Sequence, residues 1–219
     1  MHIEFLIEDN SGKEMLKHLI PKILSAEHSY LIHGYKGVGG KIPAGCKNDP
    51  KVAKNRILLD NLPRLLSGYG KTFCSAGKDY QAAVIVICDL DHRDKNSFEA
   101  ELNNLLQKCT HKPNTKFCLA IEEGEAWFLG DQDAVSRAYP LCKKSVLQGY
   151  EQDSICGTWE TLADALYPGG HSALSSKGYQ AVGKEKEEWA KRITPYMNVD
   201  NNKSPSFCYF RDTVRNLTQ

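Results

Sequence analysis

The sequence lacks a surplus of charge of either sign. Its 28 basic and 27 acidic residues give a formal net charge of +1, so bulk charge indicates neither a nucleic-acid partner nor an acidic one. Any contact with nucleic acid must therefore come from a local group of basic side chains. The charged fraction of 25% beside an apolar fraction of 41% is typical of a folded domain rather than a disordered chain.

Long apolar runs and paired cysteine motifs are also missing. The longest apolar run, Ala82 to Cys88, is far too short to span a bilayer, and the acidic N-terminal segment MHIEFLIEDN is unlike a signal peptide. Eight cysteines are present, but no CxxC pair occurs, so a structural zinc site is not expected. Reduced thiols in a cytoplasmic protein are the simpler interpretation.

Apolar patterning predicts strands that alternate with helices. Strands are expected at residues 3–7, 30–33, 82–88 and 117–121, and helices at 15–24, 57–66, 98–109 and 126–139. Ser11, with Glu14 three residues later, predicts a capping box at the start of the first helix. This alternation predicts an α/β fold in which a parallel sheet has helices on both sides.

The strand pattern fades after residue 140. Three further helices are expected at residues 159–167, 184–196 and 207–217. We therefore predict two units, an α/β domain at residues 1–140 and a helical extension at residues 141–219 that packs on it.

Acidic residues follow three of the predicted strands: Glu8, then Asp89 and Asp91, then Glu122, Glu123 and Glu125. Open parallel sheets bind ligands at the carboxyl ends of their strands. Side chains two residues apart on an extended segment point the same way, so Asp89 and Asp91 are expected to face one point. Clustered carboxylates are stabilised by a hard cation such as Mg²⁺. Taken singly, each acid has the alternative of being a helix cap or a solvated loop residue.

These segments resemble the Toprim domain of topoisomerases, bacterial primases and OLD-family nucleases. The segment Ile3 to Glu8 is similar to the first Toprim strand with its glutamate, and Val84 to Asp91 is similar to the DxD strand. Residues 120–131, AIEEGEAWFLGD, resemble the acidic E-x-W-x-L-x-D element of an uncharacterised Toprim-like family, and residues 203–207, KSPSF, with Phe210 resemble the tail of that family. One departure is Asp9, which stands where Toprim domains usually have glycine.

The resemblance implies a Toprim-like, Rossmann-like sheet and a nuclease that depends on Mg²⁺ or Mn²⁺. It implies Glu8, Asp89 and Asp91 as metal ligands. Glu125 would be a further ligand or positioning group, with Glu122 as the competitor for that role. It also implies a nucleic-acid substrate; DNA is favoured, and RNA stays the alternative. Members of the similar family are often encoded beside an AAA- or ABC-type ATPase in bacterial defence loci, which implies an ATPase partner and a role in anti-phage defence.

Basic residues near the predicted site are candidates for contact with substrate. Lys36 and Lys41 lie in the segment GYKGVGGK, which is not a P-loop because Tyr35 and Ile42 stand where that motif needs glycine and Ser or Thr. Arg93 follows the DxD pair. The alternative for each of these basic residues is a solvated surface position.

A later helix carries four basic residues close together, Lys184, Lys186, Lys191 and Arg192. Lys184 could stabilise developing charge, as a basic residue does in related nucleases. The four together could hold the backbone of a substrate or a partner. The alternative is a surface helix whose charge is neutralised by neighbouring glutamates.

Two other functions are compatible with these patterns. A non-catalytic subunit that binds nucleic acid or acts as a sensor would keep the fold without the chemistry. A phosphatase of the haloacid-dehalogenase type would use Asp89 as its nucleophile, although that class has Thr or Val where this chain has Arg93. Trp127 is either a core residue or a residue that stacks on a base.

Overall fold

The computed structural model describes residues 1–35, 57–77 and 79–219. Its strands are β1 (His2–Ile7), β2 (Ser29–Gly34), β3 (Ala82–Asp89) and β4 (Thr115–Ala120). They form one sheet in the order β2-β1-β3-β4, and every neighbouring pair is parallel. The predicted α/β fold with a parallel, Rossmann-like sheet is therefore confirmed.

Helices connect the strands and continue after the last of them. The connecting helices are α1 (Asn10–Ile23), α2 (Ile57–Ser75) and α3 (Lys95–Gln107). After β4 come α4 (Glu125–Leu129), α5 (Gln132–Ala138), α6 (Lys144–Gln148), α7 (Thr158–Leu166), α8 (Gly170–Ser175), α9 (Tyr179–Ile193), a 3-10 turn (Thr194–Tyr196) and α10 (Pro205–Leu217). The single helix predicted at 126–139 is thus two helices, because Asp131 caps a new one.

Each face of the sheet packs against its own set of helices. Because side chains alternate along a strand, Phe5 of β1 joins the core beneath α1 and the helices that follow β4. Leu6, the next residue, joins the core beneath α2 and α3. Phe210 of α10 lies against Phe5, with ring centroids 6.3 Å apart. The helices after residue 140 therefore share one continuous core with the sheet.

The first helix begins at a different residue from the one predicted. The carboxylate of Asp9 accepts a hydrogen bond from the backbone N of Gly12 at 2.6 Å and another from the hydroxyl of Ser11 at 2.5 Å. Asp9 is thus the N-cap, and the prediction of Ser11 was wrong because its hydroxyl is bound to that cap. A Cβ on Gly12 would lie 2.5 Å from Cδ1 of Ile7, so glycine lets α1 start close against the end of β1.

Two expectations about the whole chain can be compared with the described part. Within residues 1–35, 57–77 and 79–219, no helix combines the length and the apolar character that crossing a membrane requires. The cysteines in those ranges form no disulfide with one another: Cys74, Cys88, Cys109, Cys118, Cys142, Cys156 and Cys208. Reduced thiols were expected there, and Cys46 lies outside the described residues.

Candidate functional site

The carboxyl ends of β1 and β3 lie where the chain leaves the sheet in opposite directions. β1 continues into α1 on one face and then to β2, whereas β3 continues into α3 on the other face and then to β4. Diverging connections of neighbouring strands leave a crevice at their carboxyl ends, which is where open α/β sheets bind ligands. Glu8 directly follows β1, and Asp89 is the last residue of β3.

A small cavity with a volume of about 20 Å³ lies in this crevice. It is enclosed by the end of β1, the start of α1, the end of β3 and the segment that begins α4. Its acidic lining residues are Glu8, Asp9, Asp89 and Glu125. A space of this size has room for one ligand as small as water or a metal ion.

Glu8 and Asp89 lie next to each other at this edge of the sheet, and their role as metal ligands stays a prediction. The backbone N of Asp89 donates a hydrogen bond to Oε2 of Glu8 at 3.2 Å. Burial raises the pKa of Asp89 well above its usual value, and the negative charges of Glu8 and Asp9 raise it further, while Lys186 opposes them. Burial and the neighbouring carboxylates therefore favour either a proton on Asp89 or a cation close to it.

Glu125 joins this cluster from the first turn of α4 and meets a lysine there. Oε2 of Glu125 lies 3.0 Å from Nζ of Lys186, and Oε2 of Glu123 lies 3.0 Å from the same nitrogen. Burial raises the pKa of Glu125 to about 7 against the lowering effect of Lys186. Burial would lower the pKa of Lys186, but the charges of Glu125 and Glu123 raise it well above normal, so the ammonium stays charged.

Asp91 lies outside this cluster of cavity-lining residues. The backbone at Asp91 has a φ of 51°, and its N–H donates to the carbonyl oxygen of Glu122 at 2.9 Å. The expectation that Asp89 and Asp91 face one point assumed extended backbone, and the chain has turned before Asp91. Its role as a metal ligand stays a prediction.

Glu122 is engaged elsewhere. Its carboxylate accepts hydrogen bonds from the backbone N of Cys156, Gly157 and Thr158, the last at 2.8 Å, and from the hydroxyl of Thr158. Burial acts to raise the pKa of Glu122, but these hydrogen bonds outweigh it and lower the pKa below its usual value. Glu122 therefore anchors the start of α7, and the geometry favours Glu125 over Glu122 as a further ligand.

Among the described residues, Lys186 is the lysine that contacts the acidic cluster, and the catalytic role of Lys184 stays a prediction. Lys184 is exposed on α9, whereas the side chain of Lys186 is only 16% exposed. The sequence indicated Lys186 only as one of four basic residues of this helix. The four do not form one group in the structure, since Lys191 pairs with Glu187 at 2.8 Å. Helical spacing could have found it, because position 186 lies on the same face as the buried residues Ala190 and Ile193.

Residues 125–131, which match the E-x-W-x-L-x-D pattern, hold Glu125 in place by packing in the core. Trp127 is fully buried, its ring stacks on Phe210 with centroids 4.9 Å apart, and its Nε1 donates to Oγ of Ser206 at 3.0 Å. Asp131 accepts from the backbone N of Ala134 at 3.0 Å and so caps α5. Trp127 is therefore a core residue, and it ties residues 125–131 to the C-terminal tail.

The predicted substrate-binding residues are not gathered at the cavity by the described part of the chain. Lys36 and Lys41 lie outside the described residues. The guanidinium of Arg93 lies 4.5 Å from the ring centroid of Phe98, and its Nη1 lies 3.6 Å from Oε2 of Glu101. Arg93 thus packs on α3, and its contact with substrate stays a prediction.

The acidic residues of the cavity offer oxygen donors, which are the ligands that a hard divalent cation prefers. Within residues 1–35, 57–77 and 79–219, no group of three or more His, Cys, Asp and Glu side chains is arranged to hold a metal ion. Mg²⁺, however, is commonly bound through one or two carboxylates together with waters and substrate phosphates. Glu8 and Asp89 provide such a pair beside a cavity of ion size.

A family model described as "Domain of unknown function (DUF4276)" matches residues 7–215, a span that includes every residue of the cavity and Lys186. No curated protein matches the chain, and no solved structure matches it.

Proposed function

We propose that this chain, which belongs to the DUF4276 family of unknown function, is a metal-dependent enzyme that hydrolyses the phosphodiester backbone of nucleic acid. The observation that carries the proposal is the pairing of Glu8 with Asp89 at the carboxyl ends of two adjacent parallel strands. Glu125 and Lys186 lie beside this pair. Phosphoryl transfer needs such a combination, because negative charge must be both held and neutralised around the phosphate.

Each residue of the cluster has a task that its position supports. Glu8 and Asp89 would hold Mg²⁺ or Mn²⁺, which when bound supplies water activation and charge stabilisation. Glu125, whose pKa is raised to about 7, is suited to take a proton from the attacking water near neutral pH. The charged ammonium of Lys186 would stabilise negative charge on the transferring phosphoryl group.

Substrate, partner and location belong to the same proposal. The resemblance of residues 120–131 and 203–207 to a family encoded beside AAA- or ABC-type ATPases supports DNA as the substrate and an ATPase as the partner. It also supports action as the effector of an anti-phage defence system. The described cysteines form no disulfide with one another, which supports a cytoplasmic location.

A second candidate function is a non-catalytic subunit that binds nucleic acid or acts as a sensor. It is favoured by the finding that no group of three or more potential metal ligands is assembled in the described ranges. Under this alternative, the cavity would bind no divalent ion at millimolar concentration, and Lys186 would serve only to neutralise Glu123 and Glu125.

An assay of the purified chain on labelled DNA and RNA, with Mg²⁺, Mn²⁺ or EDTA, separates the two candidates. It should be run with and without the proposed ATPase partner. We expect cleavage that requires a divalent ion and is stopped by EDTA. Binding of nucleic acid without cleavage under every condition would support the non-catalytic alternative instead.

A further inference from the structure

A serine, a histidine and an aspartate form one chain of contacts where α7 and α8 meet. Nδ1 of His171 lies 2.9 Å from Oδ1 of Asp164 and 2.9 Å from its Oδ2. On the other side of the ring, Nε2 of His171 lies 3.3 Å from Oγ of Ser172. These are the contacts that activate a serine nucleophile, in which a base touches the hydroxyl and a carboxylate orients the base.

The carboxylate of Asp164 determines which ring nitrogen of His171 carries the proton. Burial acts to raise the pKa of Asp164, but hydrogen bonds from the backbone N and the ring of His171 outweigh it and lower the pKa below its usual value. The carboxylate is therefore ionised near neutral pH and can only accept hydrogen bonds, so Nδ1 of His171 donates to it. In the neutral ring, Nε2 is then free of a proton and accepts the hydrogen bond of the Ser172 hydroxyl.

The fold builds this contact from two helices and a glycine. Asp164 lies on α7 between the buried residues Ala163 and Ala165. Its Oδ1 also accepts a hydrogen bond from the backbone N of His171 at 2.8 Å. Gly170 has a φ of 70°, and a Cβ at this position would collide with Oδ1 of Asp164. Glycine thus lets the carboxylate reach both the backbone and the ring of His171.

We propose that Ser172 is the nucleophile of a second site, at which the chain transfers small acyl groups from esters to water. The inference does not rest on the nuclease proposal, since these residues are separate from those that line the cavity at the edge of the sheet. The side chains of His171 and Asp164 are 43% and 41% exposed, and Ser172 is exposed. An ester can therefore reach the hydroxyl from solvent, and an open site favours a small acyl group whose carbonyl carbon is unhindered.

The reaction has two steps that use the same base. Oγ of Ser172 bonds to the carbonyl carbon of the ester while its proton passes to Nε2 of His171. The ester C–O bond then breaks, and the leaving alcohol takes that proton. Water next attacks the acyl carbon and gives a proton to Nε2, and Oγ recovers this proton as its bond to the acyl group breaks. One ester and one water thus yield one acid and one alcohol.

Covalent labelling and ester hydrolysis test this inference. The full chain is treated in EDTA with a fluorophosphonate, from which an activated serine oxygen displaces fluoride, and peptide mass spectrometry gives the labelled residue and the rate. Hydrolysis of p-nitrophenyl acetate measures turnover. We expect label at Ser172 and loss of both reactions in Ser172→Ala. His171→Gln and Asp164→Asn should each be at least about 100-fold slower, because the base is removed or misoriented.

Ser175→Ala is the matched control, because Ser175 is an exposed serine of the same helix; it should label and turn over as the wild type does. Asp164→Asn keeps an oxygen for the backbone N of His171, so its effect falls on the ring. Nitrogen-15 NMR of His171 separates this positioning role from a structural one. The proton should lie on Nδ1 in the wild type and on Nε2 in Asp164→Asn, with circular dichroism unchanged.

Four results would overturn the inference. They are no label at Ser172, labelling of Ser175 as fast as that of Ser172, undiminished labelling of Ser172 in His171→Gln, and labelling without hydrolysis of p-nitrophenyl acetate. Each would mean that the contacts of Asp164 serve only to hold the start of α8. None of these results bears on cleavage of nucleic acid, because the assays contain EDTA and no nucleic acid.

Discussion

Nε1 of Trp127 donates a hydrogen bond of 3.0 Å to Oγ of Ser206, 79 residues further along the chain. Both residues are buried, and the amide of Asn202 also binds the carbonyl oxygen of Trp127, at 2.8 Å. These contacts join two segments that are far apart in the sequence, residues 125–131 and the tail around residues 202–207. The tail holds the helix that carries Glu125 against the sheet.

Ser206→Ala should destabilise the protein by about 1–3 kcal/mol, because it leaves the buried indole N–H without its acceptor. Chemical denaturation measures this free energy of unfolding. Ser176→Ala is the matched control, since Ser176 is exposed and water can replace its hydroxyl; it should change stability by less than about 0.5 kcal/mol. Equal losses in the two variants would show that the Trp127 contact contributes little.

Asp89→Asn should leave the metal-free protein as stable as the wild type or more stable, because it removes a buried charge beside Glu8 and Asp9. It should also abolish the stabilisation that Mn²⁺ gives the wild type. Thermal melts with and without Mn²⁺ measure both effects.

Asp94→Asn is the control for that substitution. Asp94 caps α3 by accepting from the backbone N of Ser97 at 2.9 Å, so Asn, which caps helices equally well, should change stability little and should keep the full response to Mn²⁺. If Asp89→Asn caused a large loss of stability in the absence of metal, Asp89 would have a structural role instead.

The stability of the metal-free protein should fall as pH rises from about 4.5 to about 7. The pKa of Glu125 is raised from 4.5 to about 7, so in this range the folded state binds a proton that the unfolded state has lost. Because the pKa of Glu125 is raised in the folded state, its protonated form stabilises the fold. That stabilisation is lost when the carboxyl group ionises. The raised pKa of Asp89 acts in the same direction.

Unfolding measured at intervals between pH 4.5 and 8 checks this dependence, with an expected size on the order of 2 kcal/mol for Glu125. Glu125→Gln should flatten the slope, because glutamine does not titrate. Mn²⁺ should stabilise the wild type more at pH 8 than at pH 5, since protons compete with the ion for carboxylates. Stability that rises through this range in the wild type and in Glu125→Gln alike would contradict the assignment.

Glu122→Ala should weaken the fold without removing the metal site. It deletes the acceptor for the backbone N of Gly157 and Thr158 and for the hydroxyl of Thr158, and losing charge-assisted hydrogen bonds at a buried position costs about 2 kcal/mol or more. Denaturation and Mn²⁺ titration of the same variant are compared. A lost Mn²⁺ site in a variant of unchanged stability would restore Glu122 as a ligand.

The sequence allowed the parallel sheet and the proximity of Glu8 to Asp89 to be predicted. The apolar run before Asp89 marks a strand covered on both faces, and parallel strands necessarily bring their carboxyl ends to one edge, which places Glu8 near Asp89. The strand order β2-β1-β3-β4 was not predicted, because the alternation of strands and helices does not show which strands are neighbours.

The remaining site residues depend on contacts that local patterns do not contain. Lys186 contacts Glu123, which lies 63 residues earlier in the chain, and also Glu125. Both contacts depend on how helices pack against one another, which the local sequence does not show. Asp91 and Glu122 both have positive φ, 51° and 58°. At these two residues the backbone leaves the extended conformation, so the rule that alternate side chains point the same way no longer applies.

The central claim is tested most directly by the rate at which DNA is cleaved by the wild type, Asp89→Ala, Glu8→Ala and Asp94→Ala, each at the same concentration with Mn²⁺. The account predicts that Asp89→Ala and Glu8→Ala are folded and do not cleave, because each variant lacks a residue that would hold the water-activating ion. Asp94→Ala, which loses only a helix cap, should cleave at the wild-type rate. Cleavage by Asp89→Ala at that same rate would contradict the account.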